Sequence, residues 1–236
     1  MAGRDLIGVV VQARMSSERL PGKVLRPLAG RPALDYVLER VGRASEPDLV
    51  VVATSVDARD DPIAEHCEAA GVEFHRGPLA DVAARFGEVT ERFGLSAFAR
   101  VTADSPMLDQ RLVDRAVARF REGGHDVVTN VFPSTFPSGQ SVEVVAAEAF
   151  GTALAEMSAP DEREHVTLFL YRHADRFRIE NLTAERDEGR IDMALDTAED
   201  ANLLEAMLAR MDRPHWEHTS DELIELLRAV RGEGPA

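Results

Sequence analysis

Short apolar runs alternate with helical segments through the first 130 residues, and this order limits the chain to few architectures. Residues 6–11 and 49–53 are continuous apolar runs rich in valine, as is typical of strands buried on both faces. Segments with the spacing of amphipathic helices separate these runs. The alternation predicts an α/β fold in which helices cover both faces of a parallel sheet.

The regular alternation ends at the turn-rich segment FPSTFPSG, residues 132–139. Strands are predicted at residues 6–11, 49–53, 72–75, 97–102, 126–131, 140–145, 177–182 and 191–195. Helices are predicted from Pro32, from Pro62 to Gly71, over 80–93, from an Asp109 N-cap to Gly123, and over 162–173, 198–211 and 220–230. A length of 236 residues fits one domain, with or without a small appendage.

The loop QARMSSERLPGK, residues 12–23, follows the first predicted strand and ends in the single lysine of the chain. Ligands bind preferentially at the carboxyl ends of strands in α/β sheets. Gly22 allows close approach of the backbone, and the Lys23 ammonium is a compact charge that can serve several phosphate oxygens. The loop contains neither GxxxxGK[ST] nor GxGxxG. We predict an anion-binding loop, with a ligand-free surface loop as the alternative.

Two aspartates follow predicted strands. Asp104 comes after residues 97–102, and Asp196 comes after residues 191–195. Carboxylates without a Cys or His cluster suit a hard cation, of which Mg²⁺ is the common case beside phosphates. The pair therefore predicts a Mg²⁺ site, and the alternative is that each aspartate caps the helix after it.

The charge distribution restricts the possible partners. A net charge of −15 argues against nucleic acid and against an anionic membrane surface. The first 43 residues nevertheless carry eight basic and four acidic side chains, which suits a local site for a small anion. Cys67 is the single cysteine, so an intrachain disulfide is excluded. The sequence shows no signal-peptide pattern and no 18-residue apolar run, so we expect a cytoplasmic protein.

The ordered motifs QARMSSERLPGK, VVVATS, RGP, RVTADSPMLD, FPSG, EREHV and ALDTAEDANLLE, within residues 7–204, resemble a known family. They are similar to the cytidylyltransferases that include CMP-Kdo synthetase and acylneuraminate cytidylyltransferase, and most similar to the spore-coat polysaccharide branch. The resemblance implies a Rossmann-like nucleotidyltransferase with a central, mostly parallel mixed sheet. It further implies transfer of CMP from CTP to an acidic sugar, release of pyrophosphate, and a homodimer. Within a single domain of residues 1–236, residues 132–182 are the candidate substrate and dimerisation element.

The resemblance also assigns residues. Catalytic roles fall to Arg14, Lys23 and Asp104, and Mg²⁺ is expected on Asp104 and Asp196. The implied nucleotide site consists of Gln12, Ala13, Arg14, Met15, Ser16, Ser17, Gly22, Lys23, Ala53, Thr54, Ser55, Arg76 and Asp104. In that site the amides of residues 13–17 would surround the triphosphate, residues 53–55 would read the cytosine, and Arg76 would contact the base. The implied acceptor site consists of Gly139, Gln140, Ser141, Glu143, Arg163, Glu164 and His165.

Several positions depart from the family pattern and keep alternatives open. Glu18 replaces a Thr or Ser in the phosphate loop, and we expect it to turn toward Arg19 or solvent. Gln140 and Ser141 replace a Leu-Asp pair, so the acceptor could instead be a phosphonate, a phosphate or another small acid. A non-catalytic nucleotide-binding protein is a further alternative. His165 could be a general base or have a structural or interface role.

Overall fold

The computed structural model describes residues 5–233. These residues contain nine strands: β1 (Ile7–Gln12), β2 (Pro27–Leu28), β3 (Arg31–Pro32), β4 (Leu49–Ser55), β5 (Phe74–Gly77), β6 (Ala97–Thr102), β7 (Val127–Thr129), β8 (Glu143–Ala146) and β9 (Ile179–Asn181). They also contain nine α-helices: α1 (Ala33–Val41), α2 (Asp61–Ala70), α3 (Val82–Arg92), α4 (Gln110–Arg121), α5 (Ala147–Glu156), α6 (Pro160–Glu164), α7 (Leu168–Arg172), α8 (Ala198–Leu208) and α9 (Ser220–Arg231). Within this part of the chain, no helix is long and apolar enough to cross a membrane.

Seven of the strands form one mixed sheet in the order β5-β4-β1-β6-β8-β7-β9. Strands β5, β4, β1 and β6 are parallel. Strand β8 lies antiparallel between β6 and β7, and β7 pairs in parallel with β9. The mostly parallel mixed sheet of a Rossmann-like fold is therefore confirmed.

Strand β1 shows why the apolar runs form a sheet with two covered faces. Its side chains alternate, so Val9 and Val11 pack in a cluster with α1, α2 and α4, whereas Val10 packs in a cluster with α3, α5 and α7. All three valines are completely buried, and each contributes on the order of 1.5–3 kcal/mol through burial. The carboxyl end of β1 consequently opens between two helical layers.

Two predicted elements differ in the structure. Residues 191–195 do not form a strand. Within this segment, Asp192 makes an isolated β-bridge with Ser138. Residues 162–173 form the two short helices α6 and α7 rather than one, because His165 takes a non-helical backbone conformation as the C-cap of α6. The break brings the Thr167 hydroxyl onto the buried Glu143 carboxylate, at 2.7 Å.

The C-terminal segment is attached to α1 by a buried arginine. Arg40 has no exposed surface, and its guanidinium donates to the carbonyl oxygens of Leu108, His215 and His218. Burial lowers the pKa of Arg40 to about 10. The arginine therefore joins α1, the segment before α4 and the segment before α9.

Candidate active site

Lys23 lies at the centre of a two-carboxylate cluster. It begins a short 3₁₀ turn after Gly22, which has the positive φ of 73° that glycine tolerates. The ammonium Nζ donates to Asp104 Oδ2 at 2.5 Å and to Asp196 Oδ1 at 2.8 Å. Burial alone would lower the pKa of Lys23, but the charges and hydrogen bonds of the two aspartates raise it above its ordinary value. Lys23 is therefore a charged group.

Backbone contacts bring the two aspartates together. The amide of Leu195 donates to the Asp104 carbonyl at 2.8 Å, which joins the residues after β6 to the residues before α8. Thr197 is the N-cap of α8 and Asp109 is the N-cap of α4, so neither the Asp104 nor the Asp196 carboxylate is used as a helix cap. Both carboxylates are instead directed to the Lys23 ammonium.

Asp196 also accepts a contact from Arg19, whose Nη2 lies 2.8 Å from Asp196 Oδ2. Burial alone would raise the pKa of Asp196, but Lys23 and Arg19 lower it below its ordinary value. Glu18, the unusual acid of the loop, is exposed at the mouth of the cavity. Its exposure fits the expected orientation toward solvent, and Arg19 is paired with Asp196.

The loop backbone differs from the predicted continuous cradle. The Ala13 amide donates to the Ala53 carbonyl, and the Ser17 amide donates to the Met15 carbonyl. The Met15 amide donates to Asp60 Oδ1 at 2.7 Å. Three of the five amides of residues 13–17 are thus already used within the protein. Of the amides of residues 13–17, only those of Arg14 and Ser16 have no hydrogen-bond partner within the described residues 5–233.

A cavity of about 1190 Å³ lies over this loop. Its walls combine the loop with the ends of β1 and β6 and with α6. It is lined by Gln12, Arg14, Met15, Ser16, Ser17, Glu18, Arg19, Pro21, Gly22, Lys23, Val24, Arg59, Thr102, Asp104, Glu164 and Asp196. The cavity therefore brings together most of the predicted nucleotide-binding residues and both predicted metal ligands.

The residues predicted to read the base lie in the end of β4 and in β5. Ala53, Thr54 and Ser55 are fully buried, and they do not line the cavity. Arg76 donates to the Ser55 carbonyl at 2.8 Å and to Asp61 Oδ1 at 2.6 Å. Its guanidinium thus holds the connection from β4 to α2, and this placement does not fit the expected contact with a base.

Two predicted acceptor-binding residues are enclosed in the protein. Gln140 has no exposed surface; its Oε1 accepts from the Asp109 amide and its Nε2 donates to the Met107 carbonyl. Glu143 is ion-paired with Arg100 and accepts from Thr167 and Tyr171. Their polar atoms are already paired, so direct contact with an acceptor does not fit this structure.

The other predicted acceptor residues differ in position. Glu164 lines the cavity and lies 3.4 Å from Arg14. Arg163 turns away, to Asp81 and the Met157 carbonyl. His165 is exposed and does not line the cavity. Ser141 is half-buried and Gly139 is buried, and neither lines the cavity. Of this predicted set, the structure brings only Glu164 to the cavity.

Comparison with known proteins identifies the family. A family model described as cytidylyltransferase matches residues 8–215, a range that contains the loop and both aspartates. This chain belongs to the cytidylyltransferase family. The members of this family are enzymes, and the chain is therefore a nucleotidyltransferase.

Three similar proteins illustrate how far the likeness of this cytidylyltransferase extends. The spore coat polysaccharide biosynthesis protein SpsF of Bacillus subtilis is 34% identical over 226 residues, which is 92% of each chain. A 3-deoxy-manno-octulosonate cytidylyltransferase of Geobacter sulfurreducens is 35% identical over 118 residues, 49% of this chain and 46% of the other. The structure of a cytidylyltransferase from Leptospira borgpetersenii superposes with a TM-score of 0.92 at 26% identity, over 97% of this chain and 96% of the other.

Sequence reasoning missed several residues at the site of this cytidylyltransferase. Arg59 and Thr102 line the cavity, and Arg100 donates to the Gln12 side chain at 3.2 Å. The Asp60 carboxylate accepts a hydrogen bond from the Met15 amide. The only sequence signal for Asp60 was its place before a predicted helix, and that position does not distinguish an ordinary cap from a carboxylate turned to the loop.

Proposed function

We propose that this cytidylyltransferase transfers CMP from CTP to an acidic sugar, releases pyrophosphate, and depends on Mg²⁺. The proposal rests on one observation above all: a single ammonium, Lys23, contacts two carboxylates in a cavity of about 1190 Å³. Positive charge at such a point can neutralise the charge that develops during phosphoryl transfer. The choice of CTP as the nucleotide is supported by membership of the cytidylyltransferase family.

The carboxylate pair fits a bound Mg²⁺. Oxygens of Asp104 and Asp196 already converge on one cation, the Lys23 ammonium, and hard oxygen ligands are what Mg²⁺ requires. When bound there, the ion would neutralise and orient phosphate oxygens. Lys23 would then be released from the carboxylates and could donate to the phosphates of CTP.

The remaining cations of the cavity would hold the triphosphate in place. Arg14 and Arg19 have side chains that are 41% and 66% exposed, and each currently contacts an acid. Exchange of these contacts for a phosphate costs little free energy, because an exposed ion pair contributes about 0–1 kcal/mol to stability. Transfer of a phosphoryl group depends mainly on alignment and neutralised charge, and this site can provide both without a protein nucleophile.

The choice of an acidic sugar is supported by the relatives, one of which is named for spore coat polysaccharide biosynthesis and another for 3-deoxy-manno-octulosonate. Since Gln140 and Glu143 are buried, an acceptor would be bound by side chains that line the cavity, Glu164 and the arginines among them. A phosphonate, a phosphate or another small acid is the alternative acceptor. The homodimer, its dimerisation element and a cytoplasmic location stay predictions.

A pyrophosphate-release screen with CTP and Mg²⁺ tests the proposal. The panel contains sugar acids, phosphonates and phosphorylated small acids, and release is expected with a sugar acid. Lys23→Ala should remove the signal, whereas Arg26→Ala should retain it, since Arg26 is an exposed cation close in sequence but outside the cavity. Release only with a phosphonate or phosphate would select the alternative acceptor. CTP binding without turnover on any acid would select the non-catalytic reading.

A further inference from the structure

Asp60 is a buried carboxylate beneath the phosphate loop. It is 1% exposed, and within residues 5–233 it forms no ion pair with a basic side chain. The buried Arg85 guanidinium interacts electrostatically with this carboxylate from beyond ion-pair distance. A buried carboxylate is unfavourable unless hydrogen bonds also satisfy its oxygens. Here they come from the Met15 amide, at 2.7 Å, and from the Ser55 hydroxyl.

Met15 is the point at which the loop is fixed. Its amide donates to Asp60, and its carbonyl accepts from the amides of Ser17 and Gly22, at 3.1 and 2.9 Å. The Gly22 contact closes the loop directly before Lys23. Asp60 therefore holds Met15 by its amide, and the Met15 carbonyl in turn fixes the turn that precedes Lys23.

This anchoring also decides which amides are left for a ligand. The Ala13 amide is turned to β4 and the Met15 amide to Asp60. The Arg14 amide lies between these two in the chain and donates to neither group. Among the described residues, the amides of Arg14 and Ser16 have no partner, and both residues line the cavity.

We propose that Asp60 is a positioning residue for the nucleotide: it holds the Met15 amide inward, so that the amides of Arg14 and Ser16 donate to a phosphate of CTP. The inference deepens the proposed function and rests on it. Asp60 itself does not touch the nucleotide. Its effect should consequently depend on the phosphates and be absent for a ligand that has none.

The test compares dissociation constants of CTP with Mg²⁺, and of cytidine, for three variants. Asp60→Ala should weaken CTP at least about tenfold, because charge-assisted hydrogen bonds to phosphate are the strong class, and should leave cytidine unchanged. Asp60→Asn should stay within about threefold for CTP, since its carboxamide oxygen can still accept from the Met15 amide and its NH2 group can donate to the Ser55 hydroxyl. Thr219→Ala removes the N-cap of α9 and should lower the melting temperature without any change in affinity.

The outcomes separate the inference from the proposed function. Failure of the unaltered protein to bind CTP would overturn both. Unchanged CTP affinity in Asp60→Ala, or equal weakening of CTP and cytidine, would overturn the role of Asp60 alone. If Asp60→Ala does not fold, amide NMR of the unaltered protein decides: on addition of CTP, the Arg14 and Ser16 resonances should shift more than that of Met15. A dominant shift at Met15 would refute the arrangement.

Discussion

Replacement of Glu143 by alanine tests whether this carboxylate is part of the protein framework rather than an acceptor ligand. Glu143 is 2% exposed, pairs with Arg100 and accepts hydrogen bonds from Thr167 at 2.7 Å and Tyr171 at 2.6 Å. Glu143→Ala removes the carboxylate partner of the Arg100 charge and the acceptor for the Thr167 and Tyr171 hydroxyls. Breaking a buried ion pair in this way costs about 3–5 kcal/mol, a large share of the roughly 5–15 kcal/mol that stabilise a domain.

Urea unfolding followed by circular dichroism measures this loss directly. We expect a free energy of unfolding lower by about 3–5 kcal/mol. Glu148→Ala is the matched control, because Glu148 is an exposed glutamate on the following helix; its value should lie within about 0.5 kcal/mol of the parent. A loss below about 1 kcal/mol for Glu143→Ala would refute the framework role. In the double variant with Arg100→Met and Glu143→Met, most of the stability should return, since no charge is left unpaired.

The same carboxylate should make stability depend on pH. Burial alone would raise the pKa of Glu143, but Arg100 and the hydrogen bonds from Tyr171 and Thr167 lower it below its ordinary value of 4.5. A lowered folded-state pKa means that the contribution is complete above about pH 4.5 and is lost as the pH falls through the folded-state value. Glu143→Gln should therefore flatten the acid limb of the stability curve, and an unchanged limb would contradict the assignment.

Three further predictions concern single positions. Lys23→Ala leaves two facing carboxylates, so Mg²⁺ without nucleotide should raise its melting temperature more than that of the parent protein; equal shifts in a thermal scan would contradict the metal site. Gly139→Ala should destabilise by about 2–3 kcal/mol, because φ is 86° and a Cβ would lie 3.0 Å from the Met193 carbonyl carbon. Gly123→Ala is its control, with φ 82° and open space, and an equal loss in calorimetry would exclude the contact as a cause. Arg40→Leu should cost at least about 2 kcal/mol in urea unfolding, because buried carbonyls lose their donor; a change under about 0.5 kcal/mol would contradict this.

Local chemistry explains which elements were predictable. Asp109 caps α4, and Thr219 forms a capping box with Glu222 at the start of α9, as predicted. Gly71 ends α2 with the positive φ of 66°. Each of these signals acts within a few residues and is therefore legible in the sequence. The apolar run of β1 was likewise sufficient, since a strand buried on both faces needs no partner-specific pattern.

Elements that depend on distant contacts were not predictable in the same way. Residues 191–195 have the composition of a strand. Their backbone groups form hydrogen bonds with Asp104 and Ser138 instead of with a strand of the sheet. At the site, residue type and strand ends led to Lys23, Asp104 and Asp196, which the structure does bring together. The burial of Gln140 and Glu143 could not be predicted from the sequence. Residue type alone does not distinguish a polar side chain that faces a ligand from one that is paired inside the protein.

The contact of Lys23 with Asp196 spans 173 positions of the chain, and this separation has a consequence for synthesis. A ribosome that has translated the first 150 residues has delivered the phosphate loop and Asp104 but not the second carboxylate. The nascent protein then holds an incomplete cluster, in which the lysine has only one of its two partners. Ligand-assisted folding that uses both carboxylates can begin only after Asp196 has emerged, and any product that terminates before Asp196 is made without the site.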